Sequence, residues 1–401
     1  MARVTQQPRF GTPEDLDGLW EVFKLGFGAE ERRREAWLDG VEPARSLIIE
    51  GSRGEVAAAS HIRPFHQWFG GRAVPLGGYS PVAVLPEYRG RGLARAVVAG
   101  QYPDMRERGE VVAGLYPASL ALYRSVGFEL AGSYVARRFP AAEVGRLHPT
   151  RTVEVRRGTP EDVAAVHRCH HAAGPHHDGQ LQRGAGWWAR SLPPDLADRV
   201  LYVVDDPRRP GELAGYALYR HGPGPRPYDY SVIVHEVLAD DPDILRALWR
   251  VVGSSGSQAP WVEVVGPAED DLLLLLANAD PVAVRNEIRW MLRIVDAPGA
   301  IAARGWPTTA RGSVELDIVD EHAPWNAGRW VLSVDAGSAV LARGGSGTVQ
   351  APIGGLSSWW AGYAPATRLA RLGLLHSSDP AALARMDHLL PAVPPVLLDF
   401  Y

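Results

Sequence analysis

"SPVAVLPEYRGRGLARAVVAG", Ser80 to Gly100, sets a short apolar strand, a proline and an Arg-Gly-Arg-Gly turn ahead of a run of small helix formers. Backbone N–H groups at a helix N-terminus converge on one small volume, and the helix dipole favours negative charge there. A diphosphate needs such a set of donors. Gly90 and Gly92 leave room for close approach, and Arg89 and Arg91 can add charge-assisted hydrogen bonds. Leu93, Ala94, Val97 and Val98 form the apolar stripe that holds the helix to a sheet. Ahead of the turn, Val82, Ala83 and Val84 followed by Pro86 read as a strand whose pairing stops. Its free backbone groups suit an extended, amide-bearing ligand arm. The competing reading is a solvated basic turn.

"VAVLPEYRGRGLA" resembles the acetyl-CoA signature of the GCN5-related N-acetyltransferases, with Arg-Gly-Arg-Gly-Leu-Ala in their Arg/Gln-x-x-Gly-x-Gly/Ala slot. The resemblance implies that Val82, Ala83 and Val84 line the pantetheine of an acetyl-CoA co-substrate. It sets Gly90, Arg91, Gly92, Leu93, Ala94 and Arg95 around the phosphates, with Arg89 adding charge. Downstream, "LYPASLALYRSVGFE" (Leu115 to Glu129) is similar to that family's late helix and strand, where a tyrosine faces the CoA sulfur. Attack of an amine on a thioester expels a thiolate that needs a proton. A phenol of pKa near ~10 stays protonated at neutral pH and can supply it. Tyr123 is therefore the candidate general acid; the bland alternative is a tyrosine packed between helix and sheet. Ala118 and Ser119 fall beside the acetyl and cysteamine end. The family's serine before the acid aligns with Ala118, and this chain's serine comes one position later.

The chain has 401 residues, 46% hydrophobic and 22% charged, which fits two or three folded domains rather than one. A net charge of −4 gives no basic footprint for nucleic acid. A single cysteine, Cys169, and the absence of an apolar leader in "MARVTQQPRF" point to a cytoplasmic protein. No apolar run approaches membrane-spanning length; "LLLLLANA" from Leu272 reads as a buried core helix opened by "AEDD". "RFGTPEDLDGLWEVF" from Arg9 is echoed by "RRGTPEDVAAVHRCH" from Arg156. Each has a capping threonine, a first-turn proline and acids at the helix start. Strand-like and helix-like segments alternate after both copies, which argues for an α+β (α/β) plan. After "RIVDAPGAIAARGWP" the texture changes to a strand meander and short helices. The expected domains are 1–149, 150–296 and 297–401.

The last stretch, "PAVPPVLLDFY", is stiffened by prolines and finishes on two aromatics. Burial of that end would carry the α-carboxylate of Tyr401 inside, where desolvation raises its basicity. Together with length and three-part plan, this resembles the Eis (enhanced intracellular survival) acetyltransferases. The resemblance implies tandem acetyltransferase-like domains, the second degenerate, and a third like sterol carrier protein. It further implies Tyr401 as general base through its carboxylate, and assembly as a homohexamer. The expected acceptors are primary amines, either aminoglycoside-like polyamines or lysine side chains. Neither nucleic acid, membrane nor metal is expected as a partner. A second function class is a low-turnover carrier or sensor that binds acyl-CoA or lipid.

In the second copy Asp240, Asp241 and Asp243 occupy the phosphate region with no glycine, so that copy should bind no CoA. "HRCHHAAGPHHDG" (His167 to Gly179) has a metal-like composition but reads better as a helix end and polar loop. Trp37, near the acidic "AEERRREA" run, can line an acceptor pocket or pack in the core.

Overall fold

In strand β1 (Arg9–Phe10), Arg9 reaches forward to the turn that starts helix α1 (Leu16–Phe27). Its guanidinium meets both oxygens of Asp15 at 2.8 Å. The same carboxylate accepts from the Thr12 amide at 2.8 Å and the Thr12 hydroxyl at 3.1 Å, which satisfies the helix start. The computed structural model describes residues 7–268 and 270–401, so most of "MARVTQQ" and Glu269 of "AEDD" lie outside the described residues. Helix α2 (Arg34–Leu38) leads to strands β2 (Ser46–Glu50), β3 (Val56–Phe69) and β4 (Arg72–Val84). Helices α3 (Leu93–Ala99) and α4 (Tyr102–Glu107), strand β5 (Val112–Leu115) and helix α5 (Leu120–Arg124) complete this part. The strands lie in the order β1-β2-β3-β4-β5. Ile48, Ala57, Ala58 and Val97 form the fully buried centre under α1 and α3.

The second copy repeats the plan. Strand β6 (Glu129–Pro140) and helix α6 (Ala141–Gly145) precede β7 (Arg156–Arg157), α7 (Val163–Ala173) and α8 (Ala185–Ser191). Then follow β8 (Val200–Asp205), β9 (Leu213–Pro223), β10 (Tyr230–Leu238), α9 (Pro242–Val252), β11 (Trp261–Pro267) and α10 (Asp271–Leu275). The order β7-β8-β9-β10-β11 matches the first copy strand for strand. Arg156 grips Asp162 as Arg9 grips Asp15, and Thr159 is capped as Thr12 is. Helix α10 departs from the expected buried core helix. It is five residues long, and Leu274 is 86% exposed while Leu272 is buried. A leucine run carries no helical period, so it could not say which face turns inward.

The sixth strand of each copy is exchanged. β11 is flanked by β6, which directly follows the first copy, through antiparallel pairs from Trp261 with Pro140 to Pro267 with Tyr134. β5 is flanked by β12 (Ala283–Ile294), which follows the second copy, through pairs from Met291 with Leu115 to Ile294 with Val112. Helix α11 (Ala297–Ala303) and strands β13 (Arg311–Val319), β14 (Gly328–Asp335) and β15 (Ser338–Arg343) come next. They are followed by β16 (Val349–Pro352) and helices α12 (Ile353–Trp360), α13 (Ala366–Arg371) and α14 (Pro380–Leu389). β13, β14 and β15 form the meander read from sequence, and β16 joins β13 in parallel. One compact unit gathers Met1–Gly132, Arg289–Pro395 and Phe400–Tyr401; the other gathers Ser133–Ile288 and Val396–Asp399.

Within the first unit the meander is tied to the opening sheet by a buried ion pair. Arg293 on β12 meets Asp320 at 2.7 Å, with both side chains essentially fully buried. Its Nε donates to the Val126 carbonyl at 2.9 Å, and its guanidinium lies 3.9 Å over the Tyr102 ring. Among the described residues no helix is long and apolar enough to cross a membrane.

Candidate active site

β4 stays paired to β3 as far as Val84, which lies opposite Ala58. Its pairing to β5 covers only Leu76, Gly77 and Gly78, opposite Val112, Ala113 and Gly114. Beyond Gly78 the two parallel strands splay. The β5-facing edge of Val82, Ala83 and Val84 therefore has no β5 partner, the pairing having ended at Gly78 rather than next to Pro86, and an amide-bearing arm can pair with it.

After Pro86 to Tyr88 the chain enters the glycine turn. Gly90 has φ +74° and Gly92 φ +79°, and a Cβ at either would meet nothing within 4 Å. The requirement for glycine here is thus backbone conformation, since left-handed φ disfavours a side chain, as well as access for a ligand. The first helical hydrogen bond runs from Ala96 N to the Gly92 carbonyl at 3.1 Å. The amides ahead of it, at the start of α3, have no acceptor within their own helix. Leu93 is buried and Ala94 half-buried, anchoring the turn to the sheet. The arginines divide their work. Arg89 Nε donates to the Val84 carbonyl at 3.2 Å, Arg91 to the Glu87 carbonyl at 2.8 Å, and Arg95 Nε to Ser125 Oγ at 3.1 Å. These bonds brace the turn, and the guanidinium groups of Arg89, Arg91 and Arg95 belong to solvent-accessible residues.

Tyr123 lies on α5, the helix that follows β5. Ser119 caps this helix by accepting the Leu122 amide at 3.4 Å. Ala118 precedes the cap and is exposed. Gly127, at φ +90°, turns the chain back, and the Phe128 amide donates to the Tyr123 carbonyl at 3.1 Å. Arg293 Nε lies 2.9 Å from where a Gly127 Cβ would sit, so the turn has no space for a side chain. The Tyr123 ring is 6% exposed and edge-on to Phe128 at 5.8 Å. Burial pushes its phenol up to about 12, so it is a neutral donor throughout the neutral range.

The end of the chain arrives at the splay point. The Tyr401 ring packs against Phe65 at 4.8 Å and Tyr116 at 5.7 Å. A Cβ on Gly78 would fall 2.7 Å from Tyr401, and one on Gly114 2.8 Å from its hydroxyl. The last paired residues of β4 and β5 are therefore glycine, and the terminal ring occupies the space above them. The expected burial of both end aromatics needs correction. Tyr401 is half-buried, but Phe400 is 66% exposed and lies tilted against Tyr116 at 4.7 Å. The buried tail residues are Pro395, Leu397 and Asp399. Phe65, Tyr116, Gly78 and Gly114 were not singled out from the sequence. Glycine inside strands is the signal that marks them, because it permits another group to approach the backbone closely.

Beside this cleft α1 comes close to β4, where a Cβ on Gly26 would lie 3.0 Å from Ala83 Cβ. α1 and α2 carry an aromatic group: Phe23 stacks on Trp37 at 4.9 Å with rings 8° from parallel, and Trp20 tilts against Trp37 at 5.6 Å. In the second copy, Asp241 caps α9 by accepting the Asp243 and Ile244 amides, and Asp243 accepts from Thr150. Carboxylates thus fill the place taken by the glycine turn in the first copy. His167 stacks on Trp188 at 4.2 Å, and among the described residues no group of three or more metal-ligating side chains forms.

The chain is similar to known proteins along its length. The family description "Acetyltransferase (GNAT) domain" matches residues 7–131 and again, in a second variety, residues 179–294. "Sterol carrier protein domain" matches residues 297–398. An uncharacterised N-acetyltransferase of Streptomyces coelicolor is 28% identical over 92% of each chain. The N-acetyltransferase Eis of Mycobacterium tuberculosis is 27% identical over 97% of this chain and 98% of its own. The crystal structure of a GCN5-related N-acetyltransferase from Kribbella flavida superposes with a TM-score of 0.84 at 32% identity over 98% of both chains. Enzymes built this way transfer an acyl group, and GNAT acetyltransferases use acetyl-CoA. With two acetyltransferase domains, a sterol-carrier-like domain and full-length homology to Eis, this chain belongs to the GCN5-related N-acetyltransferases.

Proposed function

We propose that the chain transfers the acetyl group of acetyl-CoA to a primary amine, with Tyr123 as general acid and the α-carboxylate of Tyr401 as general base. The observation that carries the reading is the splay of β4 from β5 after Gly78, with the Tyr401 ring seated at its apex. The residues present suit the co-substrate: a strand edge at Val82 to Val84 for the pantetheine, and the amides at the start of α3, which have no acceptor within their own helix, for the phosphates. Arg89, Arg91 and Arg95 set positive charge around those amides. When bound, the co-substrate supplies the activated acyl group. The Tyr401 carboxylate takes a proton from the incoming ammonium, directly or through a water. As the C–N bond forms and the C–S bond breaks, the Tyr123 hydroxyl gives a proton to the departing sulfur, and the surplus proton of the acylated nitrogen restores the phenol. The neutral phenol, held up by burial, is in the right state to give it.

The Phe23–Trp37 stack offers aromatic faces to a cationic acceptor, which favours amines that are protonated at neutral pH. Aminoglycoside-like polyamines and lysine side chains fit that description equally. The carrier reading would have to use the open cleft of the sterol-carrier-like domain, whose lining mixes Ala370 and Leu375 with Thr348, Gln350, His376, Ser377 and Ser378 and would not enclose an apolar ligand. A hexamer is the assembly expected on family grounds, and analytical ultracentrifugation reads it directly.

The test is free-thiol release from acetyl-CoA across a panel of aminoglycosides, linear polyamines and lysine peptides. At least one amine should give sustained turnover. Thiol release with none of them, together with an apolar ligand retained on the purified protein, would favour the carrier.

A further inference from the structure

In the second unit, five polar side chains are buried together without any part in the chemistry above. Arg183 is the hub. It donates to Glu236 at 2.8 and 3.1 Å and to Asp399 at 2.8, 3.0 and 3.1 Å. Tyr216 donates its hydroxyl to Glu236, and His170 Nε2 stands 3.7 Å from the same carboxylate. The Arg183 guanidinium lies 4.0 Å over the Trp187 ring and 5.0 Å over that of Trp188. The side chains of Arg183, Glu236 and Asp399 are 7%, 8% and 4% exposed. Nearby, the Val396 amide donates to the Asp178 carbonyl at 2.7 Å, and Leu397 is completely buried.

The position of Glu236 is informative. β10 pairs with β11 as far as Val234, just as β4 pairs with β5 as far as Gly78. Glu236 therefore stands two residues past the last pair, where Ser80 stands in the first copy. The point at which the first copy opens its strand edge is occupied in the second by a carboxylate tied to the tail. Burying such charges is expensive and apolar residues would pack as well, so the network is better explained by what it fixes than by stability.

We infer that Arg183 and Glu236 form a clasp that fixes Asp399 and so, through the two residues that follow, positions Tyr401, with the degenerate second copy holding Val396–Asp399. Only Phe400 separates Asp399 from Tyr401, which limits their Cα separation to about 7 Å. Arg183 and Asp399 are positioning residues: they touch no reacting group. The inference rests on the reading of Tyr401 as base.

The test uses the full chain with Asp399→Asn, which keeps the shape and removes the charge, and Arg183→Lys, which keeps the charge and removes the fork. Both should lower kcat by about tenfold or more while the KM for acetyl-CoA stays within about twofold, since the CoA cleft is untouched. Amide exchange should quicken in residues 396–401 and stay unchanged around β4 and α5. Asp399→Asn added to a chain lacking Tyr401 should cause no further loss, because the clasp has nothing left to position. Full activity of both variants, alongside loss on deleting Tyr401, would overturn the clasp and leave the base reading standing. So would losses that multiply in the combined variant. If deleting Tyr401 costs nothing, the base reading falls and this inference falls with it. Should Asp399→Asn fail to fold, the exchange and kinetic measurements on Arg183→Lys decide alone.

Discussion

Tyr123 carries the first prediction. Removing its hydroxyl as Tyr123→Phe keeps the ring against Phe128 and should lower kcat by roughly 10²-fold or more with little change in KM. An unchanged kcat would remove it from the mechanism. Because burial pushes the phenol up to about 12, its ionisation cannot cause any loss of activity seen below about pH 10. Gly78 is the second residue to test. Gly78→Val would drive Cβ into the Tyr401 ring, so turnover should fall at least as far as on deleting Tyr401. A Gly78→Val variant of full activity would show that the ring's seat is irrelevant. Tyr123 and the glycine turn were legible in the sequence because their signals are local: a dipeptide rhythm, a helix start, a spacing. The seat of Tyr401 was not, since it joins the last residue to Phe65, Gly78, Gly114 and Tyr116, all far away along the chain.

Among elements, the repeated starts of α1 and α7 can be weighed against each other. Asp15 and Asp162 each cap a threonine and pair with an arginine, and each carboxyl is held down to about 2 mainly by that arginine. Asp15→Ala and Asp162→Ala should each cost about 1–2 kcal/mol in denaturant unfolding. A loss in one and none in the other would show that the repeat is not energetically equivalent. The repeat itself was readable as "GTPED", and so was the meander of β13, β14 and β15. The exchange of β6 and β12 was not, because a strand's sequence does not record which neighbouring strand it will pair with. Contiguous segments drawn at 149/150 and 296/297 therefore differ from the compact units, which take their last strands from one another's stretch of chain. The exposed leucines of α10 escaped for another reason: an unbroken apolar run has no period to read.

At the scale of the whole molecule, two buried histidines set acid sensitivity. Desolvation holds His61 down to about 3 and His170 down to about 4. Unfolded, each would protonate near ~6.5. Both groups therefore favour the folded state above that value, and their contribution is lost as pH falls towards their folded pKa values. At pH 5 the loss is about 2 kcal/mol for each. The melting temperature should drop between pH 7 and 5, and less so in a His61→Gln variant; a flat profile would contradict the burial of both. Arg293 and Asp320 matter on the same scale. Asp320→Ala leaves a buried guanidinium without its partner and should cost about 3–5 kcal/mol, read by chemical denaturation. Nothing in the sequence singled out this pair, because a charge is ordinarily a surface residue until the fold encloses it.

The account depends on one coenzyme site, in the first copy, built from a glycine turn and an open strand edge. Calorimetric titration of the full chain with coenzyme A tests it most directly, alongside a Gly90→Val/Gly92→Val variant. Both glycines have left-handed φ and space around them, so the variant should fold while its turn is misshapen. The account predicts one coenzyme bound per chain and none by the variant. Two bound per chain, or binding undiminished in the variant, would contradict it.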